Sequence, residues 1–197
     1  MRIDKNINKK GTFAVSEIEM SRLISECDNK ISLLNLLESC YKDKNITETM
    51  LIQIIDKFQD AILTKKVLDN HYKNQTISES TLLLIIVTLN NKLLLKYCLD
   101  KCYAGKNISE STFLVILNTF NDKHMLKYCL DNHFSGKTLS ESTILTIILA
   151  FEDKLFLKYC LDKFYKGKKL SESTLLSITM TFNDGLLTKY CLDNFKG

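Results

Sequence analysis

The sequence predicts an all-α chain, an α-solenoid of six 31-residue helical-hairpin repeats. Three observations carry this. A Ser/Thr-Glu pair recurs at a constant 31-residue step, opening copies at Ser16, Thr47, Ser78, Ser109, Ser140 and Ser171. Thirteen residues after each start stands an Asn or Asp: Asn29, Asp60, Asn91, Asp122, Asp153 and Asp184. The 197 residues contain no proline and no run with the two-residue alternation of a half-buried strand. A period of this size marks units that cannot bury an apolar face alone and stack to cover it.

Within each copy, helix A opens on the Ser or Thr, whose oxygen can accept from free N–H groups of the first turn. The acid that follows (Glu17, Glu48, Glu79, Glu110, Glu141 and Glu172) suits the positive helix end. Six such acids are explained by six helix starts, whereas a reaction needs one site. Helix A is apolar over most of its circumference, as in Phe113, Leu114, Ile116, Leu117 and Phe120, which suits a helix held between neighbours. The second Asn or Asp caps helix B, which is amphipathic: Lys123, Lys127 and Asp131, or Lys154, Lys158 and Asp162, form a polar stripe expected to face water. Gly105, Gly136 and Gly167, with Asp43 and Asn74 in earlier copies, mark the exits, being residues that tolerate a left-handed backbone.

Residues 1–15 read as a basic N-terminal arm and 16–197 as a single repeat domain. Arg22, Ser25 and Glu26 make the first helix A more polar than the rest, as a terminal cap requires. In the last copy Thr179 and Thr188 stand where apolar residues are usual, which leaves end-to-end self-association open.

Composition narrows the function classes. With 45% apolar and 25% charged residues the chain belongs to the folded globular class. Its longest purely apolar run, Leu82 to Val87, is far below the roughly 18 residues of a membrane span, so no membrane partner is expected. The charged N-terminus lacks the apolar core of an export signal, so a cytoplasmic or other reducing intracellular location is expected. Of seven cysteines, Cys98, Cys129, Cys160 and Cys191 share one repeat position. Stacked neighbours lie roughly 8–10 Å apart, beyond the roughly 7 Å Cα limit of a disulfide, so these read as small core residues. The same spacing argues against a metal site in the column Cys40, His71, Cys102 and His133. Sequons at Asn45, Asn74 and Asn107 lie at helix starts and carry little weight without export. No nucleotide, nucleophile or metalloprotease motif occurs, so neither catalysis nor a cofactor is expected.

Candidate binding residues are those that vary where their neighbours do not. Position seven reads Arg22, Gln53, Leu84, Val115, Thr146 and Ser177; position ten reads Ser25, Asp56, Val87, Asn118, Leu149 and Met180. Three apart, they share a helix face. That face is either an exposed recognition groove or a partly buried face that drifted. As a groove its apolar members suit another protein, making the chain a non-catalytic protein-binding module. Single-stranded nucleic acid is the alternative partner, with Lys106, Lys137 and Lys168 as backbone contacts, although Arg2 and Arg22 are the only arginines. A structural subunit of a larger assembly is the third reading.

"TLNNKLLLKYCLDK" (Thr88 to Lys101) resembles the second-helix segment of ankyrin repeats, and Thr81, Thr112, Thr143 and Thr174 match the threonine opening the ankyrin first helix. The resemblance implies stacked hairpins and protein binding. "LSEST" and its glycine-lysine junction are more weakly similar to pentatricopeptide and TAL-effector-like repeats. Those families would imply nucleic-acid reading, but for the pentatricopeptide type the glutamate constant at position two cannot encode a choice of base, and for the TAL type a large apolar residue such as Phe120 or Phe151 stands where the variable inter-helix pair is expected.

Overall fold

The computed structural model describes residues 15–42 and 44–195. The expected arm falls outside the described residues except Val15, and so does Asp43. The described residues form twelve α-helices and no strand. They belong to two compact units divided between Ala104 and Gly105.

The first unit holds α1 (Glu17–Glu26), α2 (Lys30–Cys40), α3 (Glu48–Phe58), α4 (Ala61–His71), α5 (Glu79–Leu89) and α6 (Lys92–Tyr97), which continues as a π-helical turn, Cys98–Cys102. Its first helices pack side by side, α1 on α3 and α3 on α5, while α4 and α6 fold back on their own partners. The second unit holds α7 (Glu110–Phe120), α8 (Lys123–His133), α9 (Glu141–Phe151), α10 (Lys154–Phe164), α11 (Glu172–Phe182) and α12 (Gly185–Phe195). There α9 packs on α11, and the pairs α7/α8, α9/α10 and α11/α12 are hairpins.

Both sets of caps form as the sequence predicts. Ser109 Oγ accepts from Thr112 N at 3.1 Å and Ser140 Oγ from Thr143 N at 3.2 Å. Asp60 Oδ1 accepts from Leu63 N at 2.7 Å, and Asp153 Oδ1 from both Leu155 N and Phe156 N at 2.9 Å. Each such cap contributes about 1 kcal/mol. Gly105, Gly136 and Gly167 exit helix B at positive φ, as does Asn74. A second set of left-handed residues, Gln59, Asn90, Asn121, Glu152 and Asn183, closes helix A one residue before the helix B cap in the second to sixth copies, whereas the first helix A ends on an extended Cys27.

The core explains the constant letters. Phe113, Ile116, Leu126, Cys129, Ile147, Leu157 and Cys160 are fully or almost fully buried. All seven cysteines are free thiols. Where helix B begins its inward face, Leu63, Leu94, Met125, Phe156 and Leu187 are buried, while Ser32 takes that place in the first copy and is exposed. In the last copy Thr179 is exposed and Thr188 half-buried, their hydroxyls 3.3 Å apart, and Leu192 is 38% exposed where Leu68 and Leu161 are buried.

Two features lock neighbouring hairpins. Each connector donates to the next helix B end: Ile46 N to His71 O (2.7 Å), Ile77 N to Cys102 O (2.9 Å), Leu139 N to Phe164 O (2.8 Å). The position-two glutamates reach forward to the next cap: Glu48 Oε1 accepts from Ser78 N at 2.7 Å, Glu110 Oε1 from Ser140 N at 2.6 Å and Glu141 Oε1 from Ser171 N at 2.7 Å. Burial pushes the carboxyls of Glu110 and Glu141 up, but donors on the following copy outweigh it and both lie below the ordinary value.

Candidate partner-binding face

Position ten lies in the last turn of helix A and is exposed in all six copies: Ser25, Asp56 and Val87 in the first unit, Asn118, Leu149 and Met180 in the second. Val87, Leu149 and Met180 are 65%, 72% and 73% exposed, which the buried-drift alternative does not accommodate at this position. Position seven is more enclosed. Arg22 is exposed, but Gln53, Leu84, Val115, Thr146 and Ser177 are half-buried.

Several position-seven side chains are committed locally. Arg22 is held by Glu19 at 2.6 Å and by Glu26. Gln53 Oε1 accepts from Ser21 Oγ at 2.7 Å. Thr146 and Ser177 donate back to Ser142 O and Ser173 O, both at 2.9 Å, so their hydroxyl protons turn into their own helices. Position ten is therefore the reachable row, and position seven forms its floor.

Sequence reasoning missed a second exposed row. The second residue of helix B is Ile31, Ile62, Leu93, His124, Leu155 and Leu186, and the five aliphatic members are 72–83% exposed. The apolar run that opens helix B reads as continuous packing, yet only its third and fourth residues turn inward, as Leu94 and Leu95 do. The available signal was the cap itself: a residue two places after an N-cap sits in the first turn beside the A–B turn, where the next helical turn does not cover it. In the second unit a cleft of about 300 Å³ opens at this edge, lined by Asn121, Asp122, Lys123, His124, Phe151 and Asp153.

The outer face of helix B differs from a merely solvated stripe. In the second unit Tyr159 donates to Asp131 Oδ1 at 2.6 Å, Tyr190 donates to Asp162, and Lys127 and Lys158 lie 4.3 and 4.4 Å over the Tyr159 and Tyr190 rings. The first unit repeats this with Tyr97 on Asp69 at 2.6 Å and Lys65 over the Tyr97 ring at 4.5 Å. Lys127, Lys163 and Tyr159 together hold the Asp131 carboxyl well below the usual range. Burial, then the Asp131 bond, push the Tyr159 phenol up. Along the cap edge Lys30 pairs with Asp60, Lys123 with Asp153, and Lys154 with Asp184 at 2.9 Å. Charges on this face are largely spent on joining copies.

The junction lysines are similarly engaged. Lys137 Nζ donates to Ile108 O and Lys168 Nζ to Leu139 O, each at 2.7 Å; Lys106 is exposed. Asn45 and Asn107 bond the following connector through both amide atoms, Asn45 with Lys73 and Asn107 with Ser135. His71 and His133 are buried, Nδ1 against Tyr41 O (3.2 Å) and Lys106 O (3.3 Å), with Nε2 making no hydrogen bond. No cluster of three metal-ligating side chains occurs among the described residues. No described helix is long and apolar enough to cross a membrane.

The chain matches no protein-family model, no curated protein and no solved structure. Its reading as a series of helical hairpin repeats rests on its own architecture.

Proposed function

We propose that the chain is a non-catalytic recognition module for another protein, contacted along position ten of helix A and the second residue of helix B. The observation that carries this is the row of large aliphatic side chains held in solvent at repeated positions: Val87 and Leu93 in one unit, Leu149, Leu155, Met180 and Leu186 in the other, while most other apolar residues of these helices are buried or half-buried. Exposing the same position in copy after copy contributes nothing to the core, and contiguous apolar surface on a rigid scaffold is where partner side chains gain most on desolvation. Position seven lies beside it, polar at Arg22, Gln53, Thr146 and Ser177 and apolar at Leu84 and Val115. The ankyrin-like resemblance supports the same reading, with Thr81, Thr112, Thr143 and Thr174 fully buried at the first helix start.

A phosphate-binding track is less well supported, because Lys137 and Lys168 are bonded to backbone carbonyls and the helix B lysines to aspartates or tyrosine rings. The test is affinity capture and cross-linking with the wild-type chain and with Leu149→Glu/Met180→Glu, whose melting temperature is checked first. Loss of the captured partner at unchanged stability is expected. Undiminished capture, or binding of single-stranded RNA that persists at physiological salt while protein capture is absent, overturns the proposal.

A further inference from the structure

The third copy differs from the others at one place. Its helix B carries cysteine at two positions four apart, Cys98 and Cys102; the corresponding pairs elsewhere are Leu36/Cys40, Val67/His71, Cys129/His133, Cys160/Phe164 and Cys191/Phe195. That same stretch is the one π-helical turn among the described residues, closed by Tyr103 N donating to Cys98 O at 2.8 Å. Single π-turns of this kind concentrate at functional positions. The wider turn carries residue i+4 almost above residue i, and the two thiols hydrogen-bond to each other. Cys102 also forms part of the wall of an open cavity of about 220 Å³, with Asp69, Tyr72, Lys73, Tyr97 and Lys101. Both thiols are buried, Cys98 completely and Cys102 to 4% exposure, so Cys102 is the one of the two that reaches the cavity wall.

We propose that Cys102 is a peroxide-reactive thiol and Cys98 its resolving partner, the pair closing reversibly to a disulfide. Hydrogen peroxide is the co-reactant. The Cys102 thiolate attacks one peroxide oxygen, the O–O bond breaks, and Cys102 sulfenic acid forms; the departing hydroxide takes the thiol's proton and leaves as water. The Cys98 thiol then attacks the Cys102 sulfur, the S–O bond breaks, and the S–S bond forms. The hydroxide released takes the Cys98 proton as a second water, so two thiols are oxidised as one peroxide is reduced.

The roles follow from placement and charge. Cys102 faces the cavity through which peroxide enters, and the hydrogen bond with Cys98 draws its thiol below the ordinary value, favouring the attacking form. The same bond, with burial, pushes Cys98 well up, as suits a thiol that waits. Counterparts of Cys98 have no second thiol at the paired position: burial alone takes Cys129 up to about 12, and burial with the nearby Asp162 charge takes Cys191 up to about 11. Because Cys102 O accepts from Ile77 N, the disulfide pins the helix end that anchors the connector between the second and third copies.

The test treats the reduced full chain with stoichiometric hydrogen peroxide, blocks remaining thiols and digests with trypsin. Cleavage after Lys101 separates the two cysteines, so the disulfide appears as peptides 97–101 and 102–106 joined, with a loss of two hydrogens and recovery on reduction. In Cys98→Ser, dimedone traps a sulfenic acid at Cys102; in Cys102→Ser, none forms at Cys98. Absence of the joined peptides in the wild-type chain overturns the proposal, and so does faster oxidation of Cys27 or Cys40, which are more exposed. The wild-type digest decides even where a variant fails to fold.

Discussion

Replacing Glu110 by alanine isolates the bond that ties one hairpin to the next. Glu110 Oε1 accepts from Ser140 N at 2.6 Å in a half-buried setting, so truncation leaves a backbone N–H beside the α9 cap without its acceptor. Hydrogen bonds to charged groups contribute about 1.5–3 kcal/mol, and loss of the first-turn acid adds about 0.3–1 kcal/mol through the helix dipole. The expected destabilisation is therefore about 2–4 kcal/mol. Glu172 supplies the control. It occupies the same helix position but is exposed and accepts no such cap bond among the described residues, so Glu172→Ala loses only the dipole contribution of about 0.3–1 kcal/mol. Urea titration followed by circular dichroism measures both, and amide exchange at Ser140 reports whether the loss is local to the clasp. Equal destabilisation by the two substitutions, or unchanged Ser140 protection in Glu110→Ala, refutes the clasp.

Phe113→Ala empties a fully buried aromatic site in contact with Phe134 (ring centroids 5.9 Å) and is expected to cost about 3–5 kcal/mol by the same titration. Gly136→Ala puts a Cβ into open space but at φ +70, so thermal melting should show a loss of about 1 kcal/mol from backbone strain alone. Asp131 has a depressed folded-state carboxyl, so its stabilisation is present above the unfolded value near pH 4 and is lost as pH falls further toward the folded value. Melting temperatures below about pH 4 should accordingly fall less steeply in Asp131→Asn than in the wild-type chain. Tyr159→Phe removes one of the three donors on Asp131 at a part-exposed site, and a loss below about 1 kcal/mol is expected in chemical denaturation.

Most of the secondary structure was legible because it is written in short-range chemistry. Ser109 and Asp122 announce their helices through the bonds their own side chains make two or three residues on, and Gly136 announces an exit only a left-handed residue tolerates. The left-handed closing residues Asn121 and Glu152 were not foreseen: asparagine tolerates that conformation, but so it does in many other settings, and glutamate takes it only where the two flanking helices fix the turn between them. Of the exposed rows on the candidate face, position ten was singled out by its variation beside constant neighbours. Leu155 and Leu186 were not, since an exposed leucine at a helix start is spelled the same way as a buried one.

The 31-residue period by itself determined that this chain is a series of capped helical hairpins, because each cap, apolar stripe and exit is a local choice repeated in register. Only the tertiary structure decided what the polar letters do. Glu110, Tyr159, Asp131 and Lys137 suit a solvated surface when read alone, but each meets its partner about thirty residues away in sequence, across the join between neighbouring hairpins. Stacking brings such positions together at hydrogen-bonding distance, a relation that no single repeat contains.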